Sequence, residues 1–116
     1  SYSTKLALDA RKILLEKNIS AEVIDIRVLN PFNPELIIKS VMKTKSLIAI
    51  DGGWQNCGFA SEIIATVTEK IPVNTLVRPP LRITLPPSPA PCSDTLEKVY
   101  YPSACNIVDE TLKLVI

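Results

Sequence analysis

The sequence contains no histidine. That absence removes the Ser/His and Cys/His nucleophile pairs, the imidazole general base and every histidine-containing metal site. An excess of one charge is missing as well: 13 Lys and Arg against 12 Asp and Glu leave a formal net charge of +1. Without a basic surplus to neutralise phosphates or anionic headgroups, binding to nucleic acid or to a membrane surface is disfavoured. No apolar run approaches the ~20 residues that span a bilayer. The polar start Ser1-Tyr2-Ser3-Thr4-Lys5 has no signal-peptide core. The three cysteines, Cys57, Cys92 and Cys105, are widely spaced with no CxxC pair. A disulfide framework and a zinc knuckle are therefore disfavoured, and a reducing compartment is expected.

Glycine is scarce and concentrated. Gly52, Gly53 and Gly58 are the only three, all within one seven-residue window. Prolines number ten, six of them between Pro79 and Pro91. Backbone freedom is gathered at one place and stiffness at another.

What is present is a chain of 116 residues, 47% hydrophobic, expected to form one domain over residues 1–116. A chain of this length buries roughly two-thirds of its unfolded surface. Leu6, Ala10, Ile13 and Leu14 follow helical spacing, with Ser3 or Thr4 placed to cap the start and Asn18 to stop in a left-handed conformation. Ala21 to Leu29 is β-branched and nearly continuous, which reads as a buried parallel strand. Asn33 as N-cap, Pro34 in the first position and Glu35 on the dipole predict a helix that ends near Lys43-Thr44-Lys45. Leu47-Ile48-Ala49-Ile50 is a second strand, and Ala60 to Lys70 a helix stopped by Pro72. Short extended pieces are expected at Asn74 to Val77 and Leu81 to Thr84. Pro86 to Pro91 should cross the surface extended, with four of its six residues proline. A helical turn at Asp94 to Val99 and a helix from Ser103 to Val115 complete the chain. Alternation of this kind predicts an α/β fold, a parallel sheet with helices on both faces. Such units open with a strand, whereas this one opens on a helix, so a first strand is expected to be missing.

Asp51-Gly52-Gly53-Trp54-Gln55-Asn56-Cys57-Gly58 follows a predicted parallel strand and precedes a helix, where open α/β sheets place ligands. Gly53 and Gly58 satisfy G-x-x-x-x-G, but Phe59-Ala60 stand where a phosphate loop needs Lys and Ser or Thr. The GxGxxG pattern is absent too. The preferred reading is a tight turn that lets the backbone approach a neighbour, with Trp54 as an interface anchor. Cys57 lies at a helix N-terminus but has no histidine or cation beside it, which argues against catalysis. Glu62 and Glu69 read as a solvated helix face. Arg78 and Arg82, which flank Pro79-Pro80-Leu81, read as surface or interface pairing. No constellation of acid, base and nucleophile emerges, so the domain reads as one that binds or assembles.

Ile19 to Arg27, Asn30-Pro31-Phe32, Ser40-Val41 to Lys45, Ile50-Asp51-Gly52-Gly53-Trp54, Gly58 to Ile63, Arg82-Ile83-Thr84, Pro89-Ala90-Pro91 and Leu96-Glu97 form an ordered set. With it, nearly the whole chain resembles the C-terminal domain of the β subunit of thiamine-diphosphate-dependent 2-oxoacid dehydrogenases, the E1 components. These sit within the wider transketolase C-terminal domain family. The resemblance implies a three-layer α/β/α fold with a mostly parallel sheet, whose central first strand runs directly into helix one. Ser1-Tyr2 resembles the end of that strand. It also implies that thiamine diphosphate and magnesium lie between two other domains, so that no catalytic, cofactor-binding or metal-binding residue is expected in this chain. The implied partners are an E1 α subunit, a second β subunit and the E2 lipoyl acyltransferase, in the cytoplasm or the mitochondrial matrix. Gly52, Gly53, Trp54, Cys57, Phe59 and the C-terminal Leu114 to Ile116 are the expected interface residues. Pro87 departs from the family, which often carries aspartate there. Gly-Gly-Trp resembles pyruvate dehydrogenases and Gly-Phe-Ala-Ser-Glu-Ile also the branched-chain enzymes; pyruvate is preferred. The alternatives are a free-standing small-molecule or nucleotide-binding module, or the C-terminal domain of another transketolase-type enzyme. Deoxyxylulose-phosphate synthase and a ferredoxin-linked oxidoreductase are examples, against which the Gly-Gly-Trp turn and the Pro-Ala-Pro stretch argue.

Overall fold

The computed structural model describes residues 2–115. Seven elements follow in order: α1 (Tyr2–Glu16), α2 (Glu35–Thr44), β1 (Ile48–Trp54), α3 (Phe59–Lys70), β2 (Leu81–Leu85), α4 (Asp94–Tyr100) and α5 (Ala104–Val115). β1 and β2 pair in parallel, Ile48 opposite Leu81 and Ile50 opposite Ile83. Two apolar layers cover the pair. On one face Ala49 packs with Ile37 and Val41 of α2 and with Ala60, Ile63 and Val67 of α3. On the other, Ile83 packs with Ala10 and Leu14 of α1 and Ile107 and Val108 of α5, and Ile48 and Ile50 lie against them. Successive strand residues point to opposite faces, so Ala49 serves one core and its neighbours the other. The expected α/β architecture, helices on both sides of a parallel sheet, is what the chain adopts.

The local signals are read out with small displacements. Asn18 ends α1 at φ 61°, and the Ile19 amide reaches back to the Leu14 carbonyl at 3.0 Å or less (2.9 Å). Asn33 Oδ1 accepts from the Glu35 amide at 3.0 Å, which satisfies the first free N–H of α2 from one residue further out than expected. Ser103 and Asn106 cap α5 reciprocally: Ser103 Oγ faces the Asn106 amide at 3.2 Å, and Asn106 Oδ1 accepts from the Ser103 amide at 2.9 Å. Ser3 and Thr4 lie inside α1 and do not precede it as caps. Thr4 Oγ1 instead donates to Asp25 Oδ1 at 2.7 Å.

One expected strand and one expected extended piece take other forms. Ala21 to Leu29 carries no assigned secondary structure, although Ala21 and Val23 are half-buried and Glu22 and Ile24 exposed. A strand requires a partner ladder, and among the described residues the sheet holds β1 and β2 alone. Asn74 to Val77 is likewise no strand. Asn74 is left-handed at φ 67°, and Thr75 turns back so that its hydroxyl reaches the Pro72 carbonyl at 2.6 Å. Val77 makes a single ladder-like bond, its amide to the Lys45 carbonyl at 3.0 Å.

Candidate functional site

The glycine window forms where β1 outruns its partner. Ile50 opposes Ile83 but Trp54 opposes Leu85, so β1 carries two residues more than β2 over this stretch. Such a bulge re-aims the side chains within it. Asp51 turns back over the loop. Its Oδ1 accepts from the Gly53 amide at 3.0 Å and its Oδ2 from the Ala60 amide at 3.2 Å. Gly58, the N-cap residue of α3, has no side chain to offer, and the Asp51 carboxylate supplies the missing cap and complements the helix dipole.

Gly58 is required by contact. A Cβ there would stand 2.1 Å from the Trp54 carbonyl oxygen, whereas at Gly52 it would meet only Ser3 Oγ at 3.8 Å. No glycine among the described residues has positive φ; the left-handed residue of the turn is Cys57, at φ 58°. A second clamp closes the loop from β2. Arg82 Nη1 donates to the Gln55 carbonyl at 2.9 Å and to Ser61 Oγ at 2.7 Å, and the Ser61 hydroxyl also donates to the Gln55 carbonyl at 3.3 Å. Trp54 is 53% exposed while its Nε1 donates to the Tyr100 hydroxyl at 3.4 Å. Tyr100 in turn donates to the Ser88 carbonyl at 2.7 Å, which ties the proline segment to α4.

The expected interface residues do not form one surface of equal character. Gly52, Trp54 and Cys57 are exposed together on the turn, with Gly53 half-buried between them. Phe59 is drawn inward, edge-on to Phe32 at 5.4 Å, and packs against the α2–α3 core. Leu114 is half-buried on α5, and Ile116 lies outside the described residues. Glu62 and Glu69 are exposed. Sequence reading missed Asp51 as the organiser of the turn and Tyr100 as its outer anchor. The position of Asp51, directly after the apolar run Leu47 to Ile50 and nine residues before the second residue of α3, is the signal that could have found it.

The chemistry of the window follows from Asp51. A helix N-terminus after a parallel strand attracts phosphate through free amides and dipole. Here the carboxylate already takes both roles, and an incoming phosphate would meet its negative charge. Among the described residues, no cluster of three Asp, Glu, Cys or His side chains is placed to hold a metal ion. The glycine window therefore offers a diphosphate neither free amides nor an uncompensated dipole. None of the helices formed by the described residues is long and apolar enough to cross a membrane.

Residues 1–107 match the family described as the transketolase C-terminal domain. The chain is 40% identical over 115 residues to the mitochondrial pyruvate dehydrogenase E1 component subunit beta of Caenorhabditis elegans, covering 97% of this chain and 33% of that protein. It is 42% identical over 108 residues to the beta subunit of acetoin:2,6-dichlorophenolindophenol oxidoreductase of Bacillus subtilis, covering 93% and 31%. To the pyruvate dehydrogenase E1 component subunit beta of Rickettsia felis it is 34% identical over 114 residues, covering 98% and 35%. The chain thus spans about a third of the length of these relatives. On the match of the family description to almost all of its residues, the chain belongs to the transketolase C-terminal domain family.

Proposed function

We propose that residues 1–116 are the C-terminal assembly domain of an E1 β subunit in a 2-oxoacid dehydrogenase, with pyruvate the preferred substrate. The whole enzyme would decarboxylate the oxo acid on thiamine diphosphate and pass the acyl group to a lipoyl E2. The observation that carries this reading is the likeness to E1 beta subunits along nearly the entire chain. The relatives carry mitochondrial and bacterial names, in keeping with a matrix or cytoplasmic enzyme. The chemistry of the window supports the division of labour. Its acidic group is committed to holding the turn, so cofactor and magnesium belong to other parts of the subunits, and this chain contributes surface.

Trp54 is the anchor of that surface. It is large, half exposed and held by Tyr100, so little side-chain entropy remains to be lost on docking. The partners are the E1 α subunit, a second β subunit and the E2 acyltransferase. Trp54→Ala in the complete β subunit, co-expressed with its α subunit, should weaken assembly by 2 kcal/mol or more, about a thirtyfold rise in the dissociation constant. Affinity for thiamine diphosphate should stay unchanged. Sedimentation velocity reads the first and titration calorimetry the second. An assembly of α and β subunits that stays intact at sub-micromolar concentration would overturn the role of Trp54.

A further inference from the structure

From Pro86 to Val99 the chain runs over the surface, every residue exposed except Pro91, which is half-buried. Neither apolar core takes a side chain from this stretch. The seven residues of α4 are too few to hold a helix in water by their own hydrogen bonds. α4 buries a single residue, its last, Tyr100. We propose that Tyr100 is a latch. Its hydroxyl holds residues 86–100 closed as a strap and fixes the indole of Trp54, so that strap closure and the docking of a partner subunit on Trp54 are coupled. The docking half rests on the role of Trp54 as interface anchor.

Three parts of the chain meet at the Tyr100 hydroxyl. It accepts from Trp54 Nε1 at 3.4 Å and donates to the Ser88 carbonyl at 2.7 Å. A phenol has one proton to give, and Ser88 takes it. The oxygen lone pairs are then left for the indole N–H, which can only donate. The order indole, hydroxyl, carbonyl satisfies all three groups, and each bond polarises the next. The strap is stiff around the point of attachment. Pro86, Pro87, Pro89 and Pro91 have fixed φ, so holding Ser88 among them sets the course of the whole segment.

On the other side of the latch, Trp54 depends on it. The bonds of Asp51 and Arg82 reach the backbone of the turn, at Gly53 and Gln55, whereas that of Tyr100 reaches the indole. With the strap open, the half-exposed indole regains its rotamers, and a docking partner must order it anew. The coupling is reciprocal, because whatever docks on the ordered indole also favours the closed strap.

Two conservative variants of the complete β subunit test the latch. Tyr100→Phe keeps the ring and removes both bonds, and Trp54→Phe removes the indole donor alone. The Glu97 and Tyr101 amides, which donate to the Ser93 and Glu97 carbonyls, report on α4 by hydrogen exchange. Their exchange should quicken by at least about fivefold in Tyr100→Phe and about twofold in Trp54→Phe, while α3 amides keep their rates. Unchanged rates in both variants would overturn the latch, and so would an equal quickening in α3, the sign of a general loss of stability. With the α subunit co-expressed, Tyr100→Phe should raise the dissociation constant of the assembly about fivefold. Added to Trp54→Ala, it should raise it no further. Fold-changes that multiply would overturn the coupling. Assembly left intact by Trp54→Ala would instead remove Trp54 as the anchor, and the exchange rates would still decide whether Tyr100 latches the strap.

Discussion

Asp51 and Gly58 explain the glycine window between them. Neither works through the conformational freedom that makes glycine conspicuous in a sequence. Gly58 is needed because the Trp54 carbonyl occupies the space of a side chain, and its φ of −82° suits any residue. Gly58→Ala is expected to destabilise by about 2–3 kcal/mol through overpacking against backbone that cannot move aside. Gly52→Ala, with only Ser3 Oγ at 3.8 Å, should stay within about 0.5 kcal/mol. Thermal unfolding of the two variants makes the comparison, and equal losses would show that backbone freedom, not contact, is what the window needs. The clustering was legible in the sequence, whereas the reason lies in a carbonyl four residues away that only the folded turn brings near.

Among the elements, α3 depends on a cap outside its own sequence neighbourhood. Asp51→Ala leaves the Ala60 and Gly53 amides without their acceptor, and about 1–2 kcal/mol of stability should be lost. Asp51→Asn keeps one acceptor oxygen and should recover part of it. Urea unfolding measures both, and an unchanged midpoint for Asp51→Ala would refute the capping role. The other elements show how far local signals reach. α2 was legible from its cap residues and α3 and α5 from apolar spacing, because a helix satisfies its hydrogen bonds within itself. Ala21 to Leu29 reads as a strand with equal clarity and is not one. Its β-branched composition is a property of the segment, but a ladder is a property of two segments.

The whole molecule has a radius of gyration of 14.4 Å, against about 13.4 Å for a compact domain of this length. An apolar cavity of about 690 Å³ beside β1, lined by Leu14, Val41 and Ile63 among others, is in keeping with that difference. Segment 21–27 is held across it by polar contacts at the rim. Glu22 meets Lys43 and Asp25 meets Thr4 and Arg27. The hydrogen bond from Lys43, then that from Ser40, holds the Glu22 carboxyl below its ordinary value. The Thr4 hydroxyl, and after it Arg27, does the same for Asp25. Folded values below unfolded ones mean stabilisation that is complete above the ordinary carboxylate range and is lost as pH falls through the folded values. Exchange of residues 21–27 should therefore quicken below about pH 4.5 after correction for intrinsic rates. Glu22→Gln should flatten that dependence, while α3 amides stay indifferent. A profile unaltered by the substitution would rule the contact out as the cause.

The sequence by itself determined the α/β class, the stops at Asn18 and Lys45, the helices around caps and apolar spacing, and the family through its ordered motifs. Each of these depends on residues close together in the chain or on their order. Tertiary structure alone decided that Asp51 caps α3, that Arg82 and Tyr100 clamp the turn, that Phe59 faces inward, and that residues 21–29 stand apart from the sheet. Those outcomes depend on contacts between distant segments, whose geometry exists only once the layers have packed.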